Sequence, residues 1–390
     1  MGKIVVVGSG FSGSVIARKI AEELDQKVIL LEKRDHIAGN MYDEIDEHGI
    51  RIHKYGPHVI VTNRWDIIEF LSQFDELYQH TVKEISLIDG KYIRLPFNFE
   101  SIQQLIGGKK AEKVIGEMRE DYRGRDRVAI QELMTSKNPD IADFATMLFD
   151  KSYRTYCLKQ WEVPVEKLDE AIMGRVPFAV SYDERYMNKD FQYLPKHGYL
   201  HLFQNMLSHP NIEIKINTDA HKVIRLDNKN HQVFFEGEPI DILVYTGAID
   251  ELFGYRYGEL PYRSLRIECE WSNKDRVFPE EIISCPQAKG YTRKTEYKFL
   301  MEDTKDCLGT TIATEYPVAY KNDGKMSPFY PIITKEDREK YTRYREIAAS
   351  FNNIFLCGRL AEFRYYNMDD CIIRAFEVFK KIKDQLIQKG

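Results

Sequence analysis

The first 35 residues of this chain alternate between strand-like and helix-like patterns around a glycine-rich turn. Residues 4–7 form a short apolar run typical of a strand that is buried on both faces, and residues 12–24 carry an apolar stripe at helical spacing. Val28–Leu31 is a second apolar run, which ends at Glu32. A strand, a helix and a strand in this order predict a βαβ unit and therefore a parallel sheet.

The turn after the first strand has the sequence GSGFSG over residues 8–13, which fits G-x-G-x-x-G. Gly8 permits the tight turn, Gly10 lets the backbone approach a pyrophosphate, and Gly13 lets the helix pack closely on the strand. The helix N-terminus offers free N–H groups and the positive end of a dipole to phosphates. Glu32 lies 19 residues after Gly13, where an acid can bind ribose hydroxyls. Together these features predict a dinucleotide site.

Both ends of the chain favour FAD over NAD as the dinucleotide. After Glu32 come Lys33-Arg34, the run Ala38-Gly39-Asn40 and the run Tyr55-Gly56-Pro57-His58, as in the extended amino end of FAD enzymes. Near the other end, Cys357-Gly358-Arg359 closes a strand and precedes a helix that we expect to begin around Met368 and Asp369. A helix N-terminus there would stabilise the negative charge of a reduced flavin, although an ordinary last helix capped by an Asp would show the same residues.

The composition is that of an ordinary globular protein. Charged residues make up 30% and hydrophobic residues 43% of the 390 residues, and the net charge is −5. This slightly acidic balance argues against nucleic-acid or membrane-surface binding, and no apolar run approaches the ~18–20 residues that span a bilayer. The six cysteines form no C-x-x-C pair, which predicts reduced thiols and a cytoplasmic protein. The 24 tyrosines hint at a polar-lined site.

The hydrophobic pattern of the sequence changes several times after the opening βαβ unit. Hydrophobic residues recur at helical spacing between about 97 and 175, strands return from about 210, and a last strand precedes an amphipathic helix at 369–388. We therefore predict an α/β protein with a discontinuous Rossmann-like FAD-binding domain (1–80, 195–250 and 340–390), an inserted helical domain with a mobile lid (95–185) and an antiparallel β-sheet substrate domain (81–94, 186–194 and 251–339).

Seven motifs, spread over nearly the whole chain and in the same order, resemble those of the bacterial UDP-galactopyranose mutase family. They are IHKYG at 52–56, YCLKQW at 156–161, GRVP at 174–177, YRYGELPYRSL at 255–265, YTR at 291–293, EYP at 315–317 and GRLAEFRYY at 358–366.

The resemblance implies an unusual flavoenzyme. Such a protein converts UDP-galactopyranose to UDP-galactofuranose with no net redox change, because N5 of reduced FAD acts as the nucleophile on the anomeric carbon. An external reductant such as NAD(P)H would have to reduce the flavin. The resemblance also implies a homodimer, a nucleotide-diphosphate sugar as the partner and a place in cell-surface polysaccharide biosynthesis.

The resemblance assigns roles to individual residues. Arg175 and Arg293 match the phosphate-binding arginines of the family, since a guanidinium binds phosphate in a bidentate way. Trp161 matches a tryptophan on a mobile lid, and His58 is expected beside the flavin. The diphosphate-binding tyrosines are expected to be Tyr156, Tyr186, Tyr316 and Tyr365. The expected cofactor-binding residues are Gly8, Gly10, Phe11, Gly13, Glu32, Lys33, Gly39, Asn40, His58, Gly358, Arg359 and Met368.

Several positions depart from the family pattern. Val61 stands where relatives carry a second histidine, Tyr297 and Phe299 replace two histidines around Lys298, and Asn367 replaces a common Asp. An apolar Val61 at the sugar end of the site favours a sugar with fewer hydroxyls or a bulkier group. TDP-fucopyranose and UDP-N-acetylgalactosamine are therefore alternatives to UDP-galactopyranose, and Val61 and Asn367 are candidate substrate contacts.

Two other classes of function remain open at this point. An FAD oxidoreductase of the amine-oxidase type shares the opening βαβ unit and the closing strand and helix, and a non-catalytic flavin-binding protein would share them too. A metal site is not expected: His197 and His201 have i, i+4 spacing, but no carboxylate or third ligand stands in a motif position.

Overall fold

The computed structural model of the protein describes residues 2–164, 176–322 and 326–389. Its strands, in chain order, are β1 (Lys3–Val7), β2 (Val28–Leu31), β3 (Asp43–Ile45), β4 (Arg51–His53), β5 (Ile60–Thr62), β6 (Leu77–Gln79), β7 (Glu84–Ile88), β8 (Lys91–Leu95), β9 (Arg127–Val128), β10 (Phe178–Ala179), β11 (Phe191–Pro195), β12 (Ile212–Lys215), β13 (Ile224–Asp227), β14 (Gln232–Phe235), β15 (Glu238–Tyr245), β16 (Tyr262–Ser272), β17 (Ile282–Ser284), β18 (Arg293–Glu296), β19 (Thr310–Ala319), β20 (Tyr330–Pro331) and β21 (Ile354–Leu356).

The α-helices of the described residues are α1 (Phe11–Glu23), α2 (Trp65–Leu71), α3 (Phe99–Ile106), α4 (Gly108–Asp121), α5 (Ile130–Met134), α6 (Pro139–Leu148), α7 (Arg154–Trp161), α8 (Tyr199–Leu207), α9 (Ala220–Val223), α10 (Ile249–Leu252), α11 (Lys335–Ser350) and α12 (Met368–Lys389). A single π-helical turn, Phe149–Tyr153, joins α6 to α7. Within the ranges that the structure describes, none of these helices combines the length and hydropathy needed to cross a bilayer.

One sheet is mainly parallel and takes strands from the start, the middle and the end of the chain. The predicted βαβ opening, β1-α1-β2, is confirmed. The parallel strands of this sheet lie in the order β12-β2-β1-β15-β21, and β13 and β14 extend β15 as an antiparallel meander. Residues of α1 and α12 pack together in one hydrophobic core on this sheet, which includes Val15, Ile16, Ile372 and Ile382. The first and last helices of the chain therefore cover the same face of the sheet.

The predicted helical insertion is present as α3 to α7. Its core is one cluster of buried side chains, among them Phe97, Ile102, Leu133 and Phe144. The insertion also contains a two-residue antiparallel ladder between β9 and β10, in which Phe178 pairs with Val128. The helical periodicity did not indicate this ladder, because two residues are too few to show the alternation of a strand.

The predicted antiparallel sheet is present as seven strands in the order β20-β16-β19-β18-β17-β7-β8. One of its pairs, β17 with β7, is parallel. The strand β11 belongs elsewhere, since it pairs with β5 and β6 in a separate three-stranded sheet. Residues 191–194 of the segment that we assigned to the antiparallel sheet domain therefore pair with strands from the first 80 residues, and the domain boundaries stay a prediction.

Candidate functional site

A cavity of about 460 Å³ lies where the helical insertion, the seven-stranded sheet and the start of α12 meet. Its wall takes side chains from the loop before β5, from α7, from β16 to β19 and from the segment between β21 and α12. Sequence-predicted residues make up much of this wall: His58, Val61, Tyr156, Trp161, Tyr186, Arg293, Arg359, Tyr365, Asn367 and Met368.

Arg293 enters the cavity from β18 and is held there by a carboxylate on the next strand. Arg293 and Glu315 are register partners in the β18–β19 pair. The Arg293 Nε donates to Glu315 Oε1 at 2.8 Å, and Nη2 donates to Oε2 at 2.9 Å. Burial alone lowers the pKa of Arg293, but the Glu315 carboxylate outweighs this effect and raises that pKa well above its usual value. The arginine is therefore permanently charged and fixed in orientation.

A second arginine, Arg359, reaches the cavity from the loop after β21. Its guanidinium donates to the carbonyl of Phe329 at 3.0 Å and, through Nε, to the carbonyl of Tyr366 at 3.1 Å. It also lies over the rings of Tyr330 and Tyr365, at 4.7 and 5.3 Å from their centroids. Backbone carbonyls and aromatic faces orient a cation without cancelling its charge, so Arg359 gives this wall a positive potential.

The positive charges of both arginines act on His58. Burial, together with the charges of Arg359 and Arg293, lowers the pKa of His58 to about 3. The imidazole is therefore neutral at physiological pH. Its Nδ1 is buried and has no hydrogen-bond partner among the described residues, so a bound group could supply one.

Three of the four predicted tyrosines line the cavity. Burial is the main cause that raises the pKa of Tyr156, so its phenol stays protonated. Tyr365 stacks on Tyr330, with ring centroids 5.5 Å apart and ring planes at 5°. Tyr186 contributes to the same wall.

Tyr316 differs from this prediction, because its side chain is not part of the cavity wall. Successive residues of a strand point to opposite faces, and on β19 it is Glu315 that faces the cavity. The ring of Tyr316 instead lies 4.1 Å below the guanidinium of Arg266 and edge-on to Tyr291. The motif Glu315-Tyr316-Pro317 did mark this site, and its first residue, not its second, lines the cavity.

The tryptophan of the predicted lid is the last residue of α7. Trp161 is buried and meets Tyr330 edge to face at 6.0 Å. Arg175, the other predicted phosphate ligand, lies outside the described residues. Sequence reasoning missed Gln160 and Tyr330, which also line the cavity. Gln160 stood inside a quoted motif, whereas the isolated Tyr330 carried no signal.

The glycine-rich turn has the geometry that a dinucleotide requires. Gly10 directly precedes α1 in an extended conformation, and no side chain of the described residues caps the helix, so its first N–H groups have no side-chain partner there. Gly39, with φ +55°, approaches so closely that a Cβ there would lie 2.8 Å from the Gly10 Cα. Phe11, by contrast, turns its ring into the core against Phe203, so only its backbone faces the turn.

Glu32 directly follows β2 and lies beside this turn, as predicted. Its Oε2 accepts hydrogen bonds from the Ser9 N–H at 3.1 Å and the Ser9 hydroxyl at 2.6 Å, and its Oε1 accepts one from the Arg34 N–H at 3.0 Å. Asn40 accepts from Arg34 Nη2 at 2.8 Å, and Lys33 is exposed. These residues surround the end of the turn that would hold a ribose.

The predicted C-terminal half of the cofactor site meets the N-terminal half. Gly358 lies against α1, because a Cβ there would be 2.7 Å from the Ser12 hydroxyl. The helix α12 begins at Met368, where it was expected, and both Met368 and Asn367 line the cavity. Asp370 accepts a hydrogen bond from the Asn367 N–H at 2.9 Å, so the capping role considered for this Asp is also present. Residues from both ends of the chain thus meet at the glycine-rich turn, and the segment after Gly358 continues to the cavity wall.

The other departures from the family pattern lie outside the cavity wall. Tyr297 is fully buried and donates to the His53 carbonyl at 2.8 Å, and Phe299 lies under the Arg276 guanidinium at 4.5 Å. Val61 and Asn367 are therefore the two departures that a substrate could contact.

A third possible ligand lies beside His197 and His201, although it comes from outside the motif positions. Asp75, distant in sequence, brings a carboxylate to His197 and His201, and the three possible ligand atoms lie within 4.8 Å of one another. Each of these groups already has a hydrogen-bond partner in the protein: Asp75 Oδ1 binds His197 Nδ1 at 2.7 Å, and Asn205 binds His201 Nε2 at 3.0 Å. The cluster is accounted for without an ion.

Comparisons with known proteins agree with these features. Residues 151–365 match a family model described as UDP-galactopyranose mutase, and residues 6–74 match an NAD(P)-binding Rossmann-like domain. A UDP-galactopyranose mutase of Mycoplasma pneumoniae is 32% identical over 382 residues, which cover 95% of this chain and 94% of that protein. A dTDP-fucopyranose mutase of Escherichia coli is 31% identical over 379 residues, 97% of each chain. A crystal structure of reduced UDP-galactopyranose mutase, 17% identical, has the same fold with a TM-score of 0.75 over 99% of this chain and 96% of that one.

Proposed function

Because this chain belongs to the UDP-galactopyranose mutase family and is accordingly an isomerase, we propose that it interconverts UDP-galactopyranose and UDP-galactofuranose. The observation that carries the proposal is the convergence of His58, Tyr156, Arg293 and Arg359 on one cavity beside the start of α12. Reduced FAD, when bound, would supply N5 as a nucleophile toward the anomeric carbon, with no net redox change.

The residues of the cavity suit the two anionic groups that this reaction brings together. Arg359 carries an uncancelled positive charge, and the N-terminus of α12 adds the positive end of a helix dipole, which together favour an anionic flavin. Arg293 and the neutral phenol of Tyr156 would hold the diphosphate. A phenol that stays protonated donates to phosphate without adding charge, so the diphosphate can leave and return.

His58 would position the cofactor ring. Its neutral imidazole offers a buried Nδ1 that has no partner in the described part of the chain, which is the kind of group that a ring nitrogen or carbonyl of a bound cofactor can satisfy. We further propose that an external reductant such as NAD(P)H keeps the flavin reduced and that the protein is a cytoplasmic homodimer.

A second substrate is favoured by one side chain. Val61 contributes an apolar surface to the cavity, and an apolar contact suits the methyl group of a 6-deoxy sugar better than a hydroxymethyl group. The Escherichia coli relative is named as a dTDP-fucopyranose mutase. dTDP-fucopyranose is therefore the alternative substrate, and UDP-N-acetylgalactosamine is a third.

The test is turnover of three furanose substrates by dithionite-reduced protein, with chromatography of the products. We expect UDP-galactopyranose to form from UDP-galactofuranose only when the flavin is reduced. Faster turnover of dTDP-fucofuranose, slowed in Val61→His, would transfer the proposal to the deoxy sugar. The same substrates are also given to the protein with oxidised flavin, where a stoichiometric oxidised product with bleaching of the flavin would replace the proposal with an oxidoreductase of the amine-oxidase type.

A further inference from the structure

Two cations of the quoted motifs, Lys159 and Arg263, have no role in the proposed chemistry. We infer that they are positioning residues, which together fix the C-terminal turn of α7 and thereby hold Trp161 and Gln160 at the cavity wall. The inference rests on the proposed function only for its effect on substrate, because the arrangement itself consists of contacts within the chain.

Lys159 binds a turn of the seven-stranded sheet from the helical insertion. Its Nζ donates to the carbonyls of Cys285 at 2.6 Å, Ala288 at 2.8 Å and Tyr291 at 2.7 Å. An ammonium has three donors, and three carbonyl oxygens satisfy all of them. This turn connects β17 to β18, and its two ends carry Ser284 and Arg293, which line the cavity.

Arg263 makes the reciprocal contact, from the sheet to the helix. It lies on β16 with a side chain that is 1% exposed. Its Nε donates to the Gln160 carbonyl at 2.8 Å, its Nη2 donates to the Lys159 carbonyl at 3.3 Å, and its Nη1 pairs with Glu162 at 2.7 Å. The last carbonyls of a helix have no partner within the helix, and a cation there also opposes the negative end of the dipole.

The two cations therefore join the end of α7 to the seven-stranded sheet from opposite sides. The Lys159 side chain holds the sheet turn beside Arg293, while the Arg263 guanidinium holds the backbone of Lys159 and Gln160. Trp161 follows directly and ends the helix, so its indole has little freedom to leave the wall. An ion pair on the surface could form without burial, and a side chain that only fills the core could do so without a charge. The contacts of Lys159 and Arg263 with backbone carbonyls depend on both burial and charge.

We therefore expect that removal of either cation frees the Trp161 side chain from the cavity wall while the protein stays folded. The test uses the FAD-loaded chain with Trp65→Phe and Trp271→Phe, because those tryptophans are 55% and 44% exposed and their removal leaves Trp161 as the sole tryptophan. In this background we compare Lys159→Met, Arg263→Met and Arg263→Lys with Lys305→Met, which removes an exposed lysine paired with Glu302.

We expect acrylamide to quench Trp161 at least about twofold more strongly in Lys159→Met and Arg263→Met, with flavin retained and a melting transition that stays cooperative although its midpoint falls. KM for the nucleotide sugar should rise about tenfold with a smaller change in kcat. Lys305→Met should match the parent, and Arg263→Lys should restore part of the protection.

Two results would overturn the inference: folded variants whose Trp161 is quenched like the parent's, or global unfolding of all three variants, which would make the contacts structural only. Because quenching is measured without substrate, it stays decisive even if the proposed reaction fails. Loss of turnover on every sugar nucleotide in the parent chain would instead count against the proposed function alone.

Discussion

At the scale of single residues, the pairing of Arg293 with Glu315 affects how the loss of activity in an Arg293 variant is to be interpreted. The Glu315 side chain is 3% exposed, so its carboxylate depends on the arginine for compensation. Loss of activity after removal of Arg293 could therefore come from lost phosphate binding or from an unpaired buried charge. The two causes can be separated, because they respond differently to removal of the partner.

We expect Arg293→Ala to lose turnover and also about 3 kcal/mol of unfolding free energy, since it leaves Glu315 as a buried anion. The double variant Arg293→Ala with Glu315→Ala should recover most of that stability and none of the turnover. Urea unfolding and product chromatography of the three proteins measure both quantities. A double variant that regains turnover would show that Arg293 does not hold the diphosphate.

The lowered pKa of His58 predicts a pH dependence of stability. The folded pKa of about 3 lies below the usual 6.5, so the unfolded state binds more protons between these values and stability rises with pH there. Relative to pH 8, the parent should lose about 2 kcal/mol at pH 5 through this group, whereas His58→Gln should not lose that share. Chemical denaturation of both proteins at the two pH values checks this. An equal loss in both would place the protonation elsewhere.

Sequence reasoning at this scale identified the motifs better than the side chains that act. Glu315 and Tyr316 stood in the same quoted motif, and only the register of β19 against β18 decides which of them faces the cavity. A slip of one residue reverses the two faces of a strand. Tyr330 carried no local pattern at all, because its place beside Tyr365 depends on a pairing between distant segments.

At the scale of elements, the turn before α1 and the turn at Gly39 pack against each other, and we propose that they form one cradle for the cofactor. Gly39→Ala introduces a left-handed alanine and places its Cβ 2.8 Å from the Gly10 Cα. We expect the flavin content per chain to fall severalfold, because the glycine-rich turn must move to relieve this contact. Absorbance of the purified and dialysed protein measures it.

A matched control separates backbone strain from the contact. Gly108 has φ +56°, almost that of Gly39 at +55°, and a Cβ there meets nothing within 4 Å. Both alanines should therefore cost about 1 kcal/mol in backbone strain, and only Gly39→Ala should lose flavin. Equal flavin loss in both variants would refute the cradle.

Elements with a strong local pattern were well predicted. The helix expected over 12–24 is α1 (Phe11–Glu23), and the apolar run Val28–Leu31 is the strand β2. The failures were elements that depend on distant partners, namely the two-residue ladder of β9 and β10 and the pairing of β11 with β5 and β6. Their residues carry too little periodicity to reveal which strand lies beside them.

At the scale of the whole molecule, the first and last helices close one core. Ile382 of α12 is fully buried there, whereas Ile387, further along the same helix, is 67% exposed. We expect Ile382→Ala to lower the free energy of unfolding by about 2–4 kcal/mol. Ile387→Ala should change it by less than about 0.5 kcal/mol.

Urea unfolding followed by circular dichroism and by flavin release measures both variants. The two probes should report coincident transitions in Ile382→Ala, because the same core supports the sheet and the cofactor turn. If Ile382→Ala shifted the circular-dichroism transition but left the urea dependence of flavin release unchanged, α12 would not be required for the dinucleotide domain.

At this scale, the sequence was sufficient to predict the architecture but not the cavity. Its parallel sheet, helical insertion and antiparallel sheet followed from the order of the patterns and from the resemblance. The cavity forms where those bodies meet, and residues from 57 to 368 line it. No local pattern encodes such a meeting point, so the resemblance alone brought most of its residues together in advance.

The strand β15 pairs with β1 on one side and with β21 on the other. During synthesis on the ribosome, the edge of β15 that receives β21 stays open until residues 354–356 have left the exit tunnel. Helices α3 to α7 can collapse locally long before that time, whereas the contact between Gly358 and Ser12 spans most of the chain and forms late. A nascent chain that stalls before residue 354 would therefore expose a hydrophobic strand edge and could not retain its dinucleotide.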